Sequence, residues 1–137
     1  MVKENVDKAL SRKIVIKEID QLFSRYKRLE NKNDNGLIRC FTCGKLFPYS
    51  VTDCGHFVGR QHLSLRWEER NTEPQCIDCN RFHEGVKDVF ALNLQKKYGV
   101  GIIEELNTLK HQERKWSIPE LLDLQEVLKK KIKSLEA

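Results

Sequence analysis

Two CxxC pairs constrain the fold of this chain more strongly than any other feature of its sequence: Cys40-Phe-Thr-Cys43 and Cys76-Ile-Asp-Cys79. A two-residue spacer lets both thiolates of a pair turn towards one ion, and two such pairs complete the tetrahedral site that structural zinc prefers. The alternative, a pair of redox-active motifs, is disfavoured because neither pair lies in a thioredoxin-like βαβ context. We therefore predict one structural zinc, bound by Cys40, Cys43, Cys76 and Cys79.

A fifth cysteine, Cys54, lies between the two pairs in a short stretch that also contains His56 and His62. Because the two pairs already fill a four-coordinate site, zinc needs none of these three side chains. We interpret Cys54 as a small buried residue or an incidental thiol, and His62 as a loop histidine or at most a phosphate contact. The alternative is a second metal site formed by all three, which would place two metals in one small fold.

The charge of the chain favours an acidic partner, of which nucleic acid is the commonest. Lys and Arg outnumber Asp and Glu by 25 to 20, which gives a net charge of +5. Residues 1–40 carry ten basic and six acidic side chains, whereas residues 41–83 carry five of each. The N-terminal helix is thus a candidate for gripping a DNA backbone, and the centre for chemistry. The alternative is that the charge serves only solubility.

The sequence gives no sign of a membrane or an export route. No apolar run approaches the roughly 20 residues that a membrane-spanning helix needs, and residues 1–10 lack the apolar segment of a signal peptide. Five cysteines in such a chain favour metal binding over disulfides in a reducing compartment. We predict a cytoplasmic protein with no membrane partner.

Helical periodicity is clear at both ends of the chain. Residues 6–30 place apolar residues at helical spacing with basic residues between them, and a polar linker follows at residues 31–36. Ser117 is predicted to cap the last helix, because Glu120 occupies the capping-box position and Pro119 is tolerated in a first helical turn.

The central residues change from strand-like to helical texture. Short strand-like stretches begin at Leu37, helical periodicity runs from about residue 77 to 98, and another short helix is predicted over residues 100–109. We predict an α+β fold in three parts: an N-terminal helix and linker at 1–36, a zinc-bound core at 37–99 and a C-terminal helical extension at 100–137.

Four polar residues surround the cysteine pairs: His56, Asn71, Asn80 and His83. If the second pair begins a helix, Asn80 and His83 share one face of its first turns, and the strand that carries His56 can pack across that face. Such a group suits metal-assisted phosphodiester hydrolysis, in which a histidine deprotonates water while a divalent ion clamps the phosphate. The alternatives are that Asn71 is a turn or cap residue and that Asn80 and His83 are solvated helix residues.

Three segments together resemble the HNH endonuclease motif on a zinc-bound ββα-metal (treble-clef) scaffold: CFTCG, DCGHF and ERNTEPQCIDCNRFH. The more specific resemblance is to the NinG/Rap family of lambdoid phages, recombination nucleases that act on branched DNA. That family shows a CxxCG knuckle, a GH followed by a basic loop, an LRxxxxN segment, a CxxCN knuckle and a tail similar to KWSIPELLDLQEVLKKKIKSL. The resemblance covers most of the chain, from about residue 26 to residue 135.

The resemblance implies a role for each matching residue. His56 matches the general base, Asn71 the asparagine that orients it, and Asn80 a ligand of a catalytic ion, Mg²⁺ or Mn²⁺. His83 falls near a second ligand position. The expected products carry a 5′-phosphate and a 3′-hydroxyl.

One position departs from the pattern of many HNH enzymes. They place a carboxylate or histidine ligand directly before the base, where this chain has Gly55, as the close family also does. Asp53, two residues earlier, is a substitute ligand. The alternative is that Asp53 is an ordinary turn carboxylate.

The loop between the base and the asparagine contains three arginines, Arg60, Arg66 and Arg70, whose guanidinium forks suit phosphate oxygens. Arg60 is nearest in sequence to His56 and is our first choice for a phosphate contact. Arg66 is next to Trp67 and has packing or a salt bridge as its alternative role.

These features predict a structure-directed DNA endonuclease that cuts branched DNA, such as Holliday junctions or D-loops, in a phage-infected bacterial cell. Because resolution of a junction needs two symmetric cuts, we predict a homodimer; phage or host recombination proteins are further possible partners. Two alternatives remain: a sequence-preferring HNH nicking or restriction enzyme, and a non-catalytic zinc-finger protein that binds DNA.

Overall fold

The computed structural model describes the backbone of residues 2–137, and the side chains of Lys8 and of residues 10–137. Four helices lie in this part of the chain: α1 (Val2–Glu30), α2 (Lys87–Tyr98), α3 (Ile102–Lys110) and α4 (Ile118–Glu136). Four short strands lie between α1 and α2: β1 (Leu37–Arg39), β2 (Leu46–Pro48), β3 (Thr52–His56) and β4 (Thr72–Cys76). The predicted α+β class is confirmed. None of the described helices combines the length and the apolar character needed to cross a bilayer.

The strands form two antiparallel pairs that are separate two-stranded sheets. β1 pairs with β2 around a tight turn in which Gly44 adopts a φ of +75° and donates its N–H to the carbonyl of Cys40. β3 pairs with β4 so that Asp53 lies opposite Gln75 and His56 opposite Thr72. The first pair carries one CxxC motif in its turn, and the second carries the other motif at the end of β4.

The chain divides into two compact units, residues 1–26 with residues 115–137, and residues 27–114. The first unit consists of most of α1 together with α4. Its buried side chains come from both helices: Ile19, Phe23, Tyr26, Leu121, Leu128 and Ile132. The predicted division at residues 36 and 99 remains a prediction.

Within this first unit α1 and α4 run in the same direction. Three side-chain hydrogen bonds join them in rising order along both segments: Arg12 to the Trp116 carbonyl, Gln125 to Glu18 and Arg25 to Glu136. The predicted cap of α4 is confirmed, since the Ser117 hydroxyl accepts from the Glu120 N–H at 3.2 Å and the Glu120 carboxylate accepts from the Ser117 N–H at 3.0 Å.

The second unit has an apolar core in which α2 and α3 pack on the loop that follows β3. Its fully buried members are Leu65, Phe90, Leu94, Ile102 and Leu106. Phe57, the residue after β3, lies against this core with its ring centroid 5.8 Å from that of Phe90. The core therefore fixes the chain immediately beyond His56.

The helix predicted over residues 77–98 is wrong in its middle. A π-helical turn over Asp78–Phe82 ends, and Glu84, Gly85 and Val86 all adopt left-handed φ values between 49° and 77° before α2 begins. Apolar periodicity cannot reveal such a break, because it depends on the spacing of apolar residues and not on the sign of the backbone φ angle. A β-branched residue such as Val86 is strained in the left-handed region of φ. Val86 offsets that strain by packing against the cysteine cluster.

Candidate metal centre and active site

The four cysteines of the CxxC pairs converge on one point, where their sulfur atoms all lie within 4.8 Å of one another. The sulfur atoms of Cys43 and Cys76 are 4.0 Å apart. Tetrahedral zinc–thiolate bonds of about 2.3 Å would place sulfur atoms about 3.8 Å apart, so this donor set fits zinc. Among the described side chains, this is the one group of three or more His, Cys, Asp or Glu residues close enough to share an ion. The alternative site of Cys54, His56 and His62 is not formed there.

In each CxxC pair, the backbone N–H of the second cysteine donates to the sulfur of the first. The Cys43 N–H donates to Cys40 at 3.5 Å, and the Cys79 N–H donates to Cys76 at 3.4 Å. Burial raises the pKa of the Cys40 thiol, but hydrogen bonds from Cys43 and Thr42 outweigh burial and lower it to about 6. The centre thus holds one thiol that ionises readily, and a bound metal would displace the protons of the others.

Cys54 lies outside the metal centre, as predicted, and its surroundings make it inert. Burial raises the pKa of its thiol to about 12, against a usual value of about 8.5. Since the thiolate is the reactive species, the folded thiol should react with iodoacetamide about a thousandfold more slowly near pH 8 than in the unfolded chain. Mass spectrometry of the alkylated Cys54 peptide, with and without denaturant, measures this ratio, and equal labelling would contradict it.

His56 is the last residue of β3, and its ring is held by the loop that follows. Nε2 lies 2.9 Å from the carbonyl oxygen of Arg66. A carbonyl can only accept, so Nε2 carries the proton and the neutral ring has its lone pair on Nδ1. The Lys87 ammonium donates to the backbone carbonyl of His56. Both the backbone and the ring of His56 are therefore positioned by hydrogen bonds.

Asn71 is fully buried and closes the loop between β3 and β4. Its Oδ1 accepts from the Val58 N–H at 2.9 Å, and its Nδ2 donates to the carbonyls of Val58 and Leu65 at 3.0 and 3.1 Å. Its own carbonyl accepts from the Phe57 N–H at 2.8 Å. Asn71 thus fixes both ends of the loop that carries the Arg66 carbonyl, and reaches His56 through that loop.

Asp53 and Asn80, both predicted as ligands of a catalytic ion, lie side by side. The Asn80 amide donates to Asp53 at 3.0 Å. Arg81, which the sequence reading did not single out, grips both oxygens of the same carboxylate at 2.8 and 2.9 Å. Burial raises the pKa of Asp53, but the hydrogen bonds from Arg81 and Asn80 outweigh it and hold the pKa below the usual value. Asp53 is therefore an anionic oxygen donor whose charge Arg81 balances.

His83, the other predicted ligand, points elsewhere. Its Nε2 lies 3.2 Å from Asp78, and its side chain is 60% exposed. The π-helical turn Asp78–Phe82 ends just before His83, so His83 does not continue the regular helix on whose face it was predicted to lie with Asn80.

The three loop arginines have different surroundings. Arg60 is exposed. Arg66 donates to the Arg60 carbonyl at 3.2 Å and lies over the Trp67 ring at 5.8 Å, which matches the packing alternative. Arg70 forms ion pairs with Glu68 and Glu105 at 2.6 and 2.7 Å, and the hydrogen bond to Glu68 raises its pKa. Arg70 thus serves an internal network.

Gln75 is a second residue that sequence reasoning missed. Its Nε2 donates to Thr42 at 3.0 Å and to the Gly85 carbonyl at 2.8 Å, joining the first CxxC turn to the left-handed segment. Its Oε1 lies where a Cβ on Gly55 would be, well inside van der Waals contact. The glycine before His56 is therefore a packing requirement. No sequence signal could have found it, because Gln75 shares a face with Asp53 only through the register in which β3 and β4 pair.

The Asp53–Arg81 pair gives a prediction for stability. Replacing Asp53 by Asn should cost about 1 kcal/mol, since one partner of this bidentate pair is largely exposed. Arg81→Gln should also lower the free energy of unfolding, and the double variant should cost less than the sum of the two single changes. Because the lowered pKa keeps Asp53 ionised above its usual value of 3.8, the cost should not change between about pH 6 and pH 8. Urea unfolding of the four proteins measures the coupling, and strictly additive costs would contradict the pairing.

These observations define a small α+β protein with a cluster of four cysteines that could bind a metal ion and a polar cluster at the end of its second strand pair. Residues 2–137 match the protein family described as Bacteriophage Lambda NinG protein. The chain belongs to this family, which confirms the resemblance drawn from its motifs.

Individual relatives are distant. The chain is 25% identical over 121 residues to the ninG protein of Salmonella phage P22 and 26% identical over 121 residues to that of Escherichia phage lambda. The aligned region covers 88% of this chain, but 57% and 56% of those relatives. The chain therefore spans little more than half the length of the curated relatives that it matches. No solved structure matches it significantly.

Proposed function

We propose that this chain is a metal-dependent DNA endonuclease of the HNH type, built on a zinc-bound treble-clef scaffold. The observation that carries the proposal is the placement of His56. Its Nε2 is committed to a backbone carbonyl, it ends the strand that carries Asp53, and Asp53 contacts Asn80. A neutral imidazole of fixed tautomer and a pair of oxygen donors are the groups that metal-assisted hydrolysis of a phosphodiester requires.

The chemical step follows from the tautomer. Nδ1 of His56 takes a proton from water, the water oxygen forms a bond to phosphorus, and the bond from phosphorus to the 3′ oxygen breaks. The products are a 5′-phosphate and, after protonation of the leaving oxygen by solvent, a 3′-hydroxyl. Asn71 acts here as a positioning residue, because its three side-chain hydrogen bonds fix the loop that holds the His56 ring.

Asp53 and Asn80 fit a hard divalent cation such as Mg²⁺ or Mn²⁺, since these ions prefer oxygen ligands and keep several waters. A bound ion of this kind supplies charge stabilisation to the scissile phosphate and its leaving oxygen. Arg81, which now donates to both oxygens of Asp53, would become available to a phosphate if Asp53 and Asn80 held such an ion. His83 joins this set only if its side chain leaves Asp78.

DNA is the proposed substrate, and branched DNA the preferred form. The support is the positive charge of residues 1–40, the exposed Arg60 near His56, and the membership of a phage family whose motifs resemble recombination nucleases. A homodimer would allow two symmetric cuts in a junction.

The test compares cleavage of a four-way junction, a flap and a linear duplex of the same sequence by the zinc-loaded chain, with Mg²⁺, with Mn²⁺ and with no added divalent ion. We expect ion-dependent cleavage of the branched substrates and products ending in 5′-phosphate. Equal cleavage of the linear duplex at one sequence would favour a sequence-preferring nicking or restriction enzyme. Binding without cleavage under every ion would overturn the nuclease and leave a zinc-dependent DNA-binding protein.

A further inference from the structure

A cavity of about 750 Å³, whose lining includes Phe57, lies in the unit formed by residues 27–114. The loop after β3 forms one wall, and α3 with the residues before it forms the other. The apolar part of the lining comprises Phe57, Val58, Val100 and Ile103. Cavities of several hundred Å³ with apolar walls and a few polar groups are the usual sites of small ligands.

The cavity is directly connected to the proposed catalytic residue. Phe57 follows His56 in the chain, and Lys87, which also lines the cavity, donates to the His56 carbonyl. A ligand in this cavity would therefore contact the residue that follows the proposed base in the chain and the lysine that bonds its carbonyl. The chemical step proposed above uses neither the cavity nor the Lys87 ammonium.

The polar groups of the lining indicate the class of ligand. Lys87 and Lys110 place two cations there, against the single carboxylate of Glu104, and Asn107 adds an amide. Cations suit a phosphate, while the amide and the carboxylate suit the hydrogen-bonding edge of a base. The Phe57 ring and the aliphatic side chains suit the face of a base, because stacking on such surfaces is tolerant of sequence.

We propose that this cavity binds an unpaired nucleotide of the DNA substrate, with the base between Phe57 and Ile103 and its phosphate near Lys87 and Lys110. A base inside a duplex cannot enter a concave cavity without leaving its stack, so the cavity selects unpaired nucleotides such as those at a branch point. This inference rests on the proposed DNA substrate, and it supplies a reason for a preference for branched over linear DNA.

Val100 offers a way to test the cavity without disturbing the fold. Its side chain is 88% exposed at the rim, so Val100→Glu places a negative charge there at little cost to stability. Leu92 provides a matched control, because it is an exposed aliphatic residue of α2, at 57%, that is not part of the cavity lining. Leu92→Glu makes the same change of charge elsewhere on the same unit.

The experiment measures binding of a short single-stranded oligonucleotide that contains one 2-aminopurine, and of the same oligonucleotide annealed to its complement, with no added divalent ion. We expect the fluorescence of the unpaired 2-aminopurine to change on binding, and Val100→Glu to weaken that binding about tenfold, because it places a negative charge at the rim of a cavity that holds a phosphate. Leu92→Glu should weaken it less than about twofold, since a distant surface charge is screened.

Equal weakening by the two variants, or equal binding of the paired and the unpaired probe, would overturn the cavity proposal. Asn107→Trp is a second variant that fills the cavity without adding charge, and unchanged binding there would overturn it as well. Because the measurement needs no cleavage, its failure is distinguishable from failure of the nuclease. If the wild type cuts DNA but Val100→Glu and Leu92→Glu bind the probe equally well, only the cavity proposal is rejected. If the two variants differ in binding but the wild type cuts no DNA, only the nuclease proposal is rejected.

Discussion

Cys79→Ser should abolish cooperative folding of the unit formed by residues 27–114. A structural zinc contributes about 10–16 kcal/mol to the folding of small zinc domains, which is comparable to the total stability of about 5–15 kcal/mol typical of a domain. The centre joins the turn after β1 to the end of β4, and those strands are too short to be stable alone. Metal analysis should find about one zinc per wild-type chain and far less in the variant, which should show no cooperative thermal transition for this unit.

Cys54→Ala is the matched control, because it removes a cysteine that lies outside the cluster. It should retain the zinc of the wild type and a cooperative transition. A Cys79→Ser chain that kept one zinc and melted within a few degrees of the wild type would show that the four cysteines do not form a structural centre.

Among substitutions that exchange one side-chain nitrogen for oxygen in the loop after β3, Asn71→Asp should lower the free energy of unfolding most. The carboxylate keeps the shape of the amide, but it would face the carbonyls of Val58 and Leu65, to which the amide now donates at 3.0 and 3.1 Å. Two buried acceptors would lose their donor and a charge would be buried near them, so we expect a loss of about 3 kcal/mol or more in the free energy of unfolding. The same loop holds the His56 ring, so any cleavage should fall with it.

Asn35→Asp makes the same chemical change in an exposed turn and should alter stability by less than about 0.5 kcal/mol. Urea unfolding of both variants gives the comparison. Similar costs for the two would mean that the Asn71 network contributes nothing specific.

The features that follow from local spacing were predictable. The capping box of α4 and the four-cysteine cluster each depend on residues whose relative positions are fixed by a few bonds, or by the geometry of one metal ion. The helix over residues 6–30 was predicted within a few residues of its bounds, and α1 begins earlier, at Val2. For the same reason the family resemblance could be read from short motifs, and the match over residues 2–137 confirms it.

The features that depend on how distant segments meet were not predictable. Arg81 reaches Asp53, and Gln75 fills the space over Gly55, only because β3 and β4 pair in one register and the π-helical turn follows. The break at Glu84–Val86 likewise needs the left-handed backbone that the apolar pattern cannot encode. The sequence therefore identified Asp53 as a candidate metal ligand, but it could not show that Arg81 balances the charge of its carboxylate.

The most direct test of the account is the single-turnover rate at which zinc-loaded wild type and His56→Ala cleave a four-way junction in Mg²⁺. His111→Ala, a change at an exposed histidine outside the cavity and the metal centre, serves as the control. His56→Ala should keep its zinc and its DNA binding but cleave about 10²–10⁴-fold more slowly, the usual contribution of a general base, while His111→Ala should cleave as the wild type does. A His56→Ala chain that cuts at the wild-type rate would contradict it.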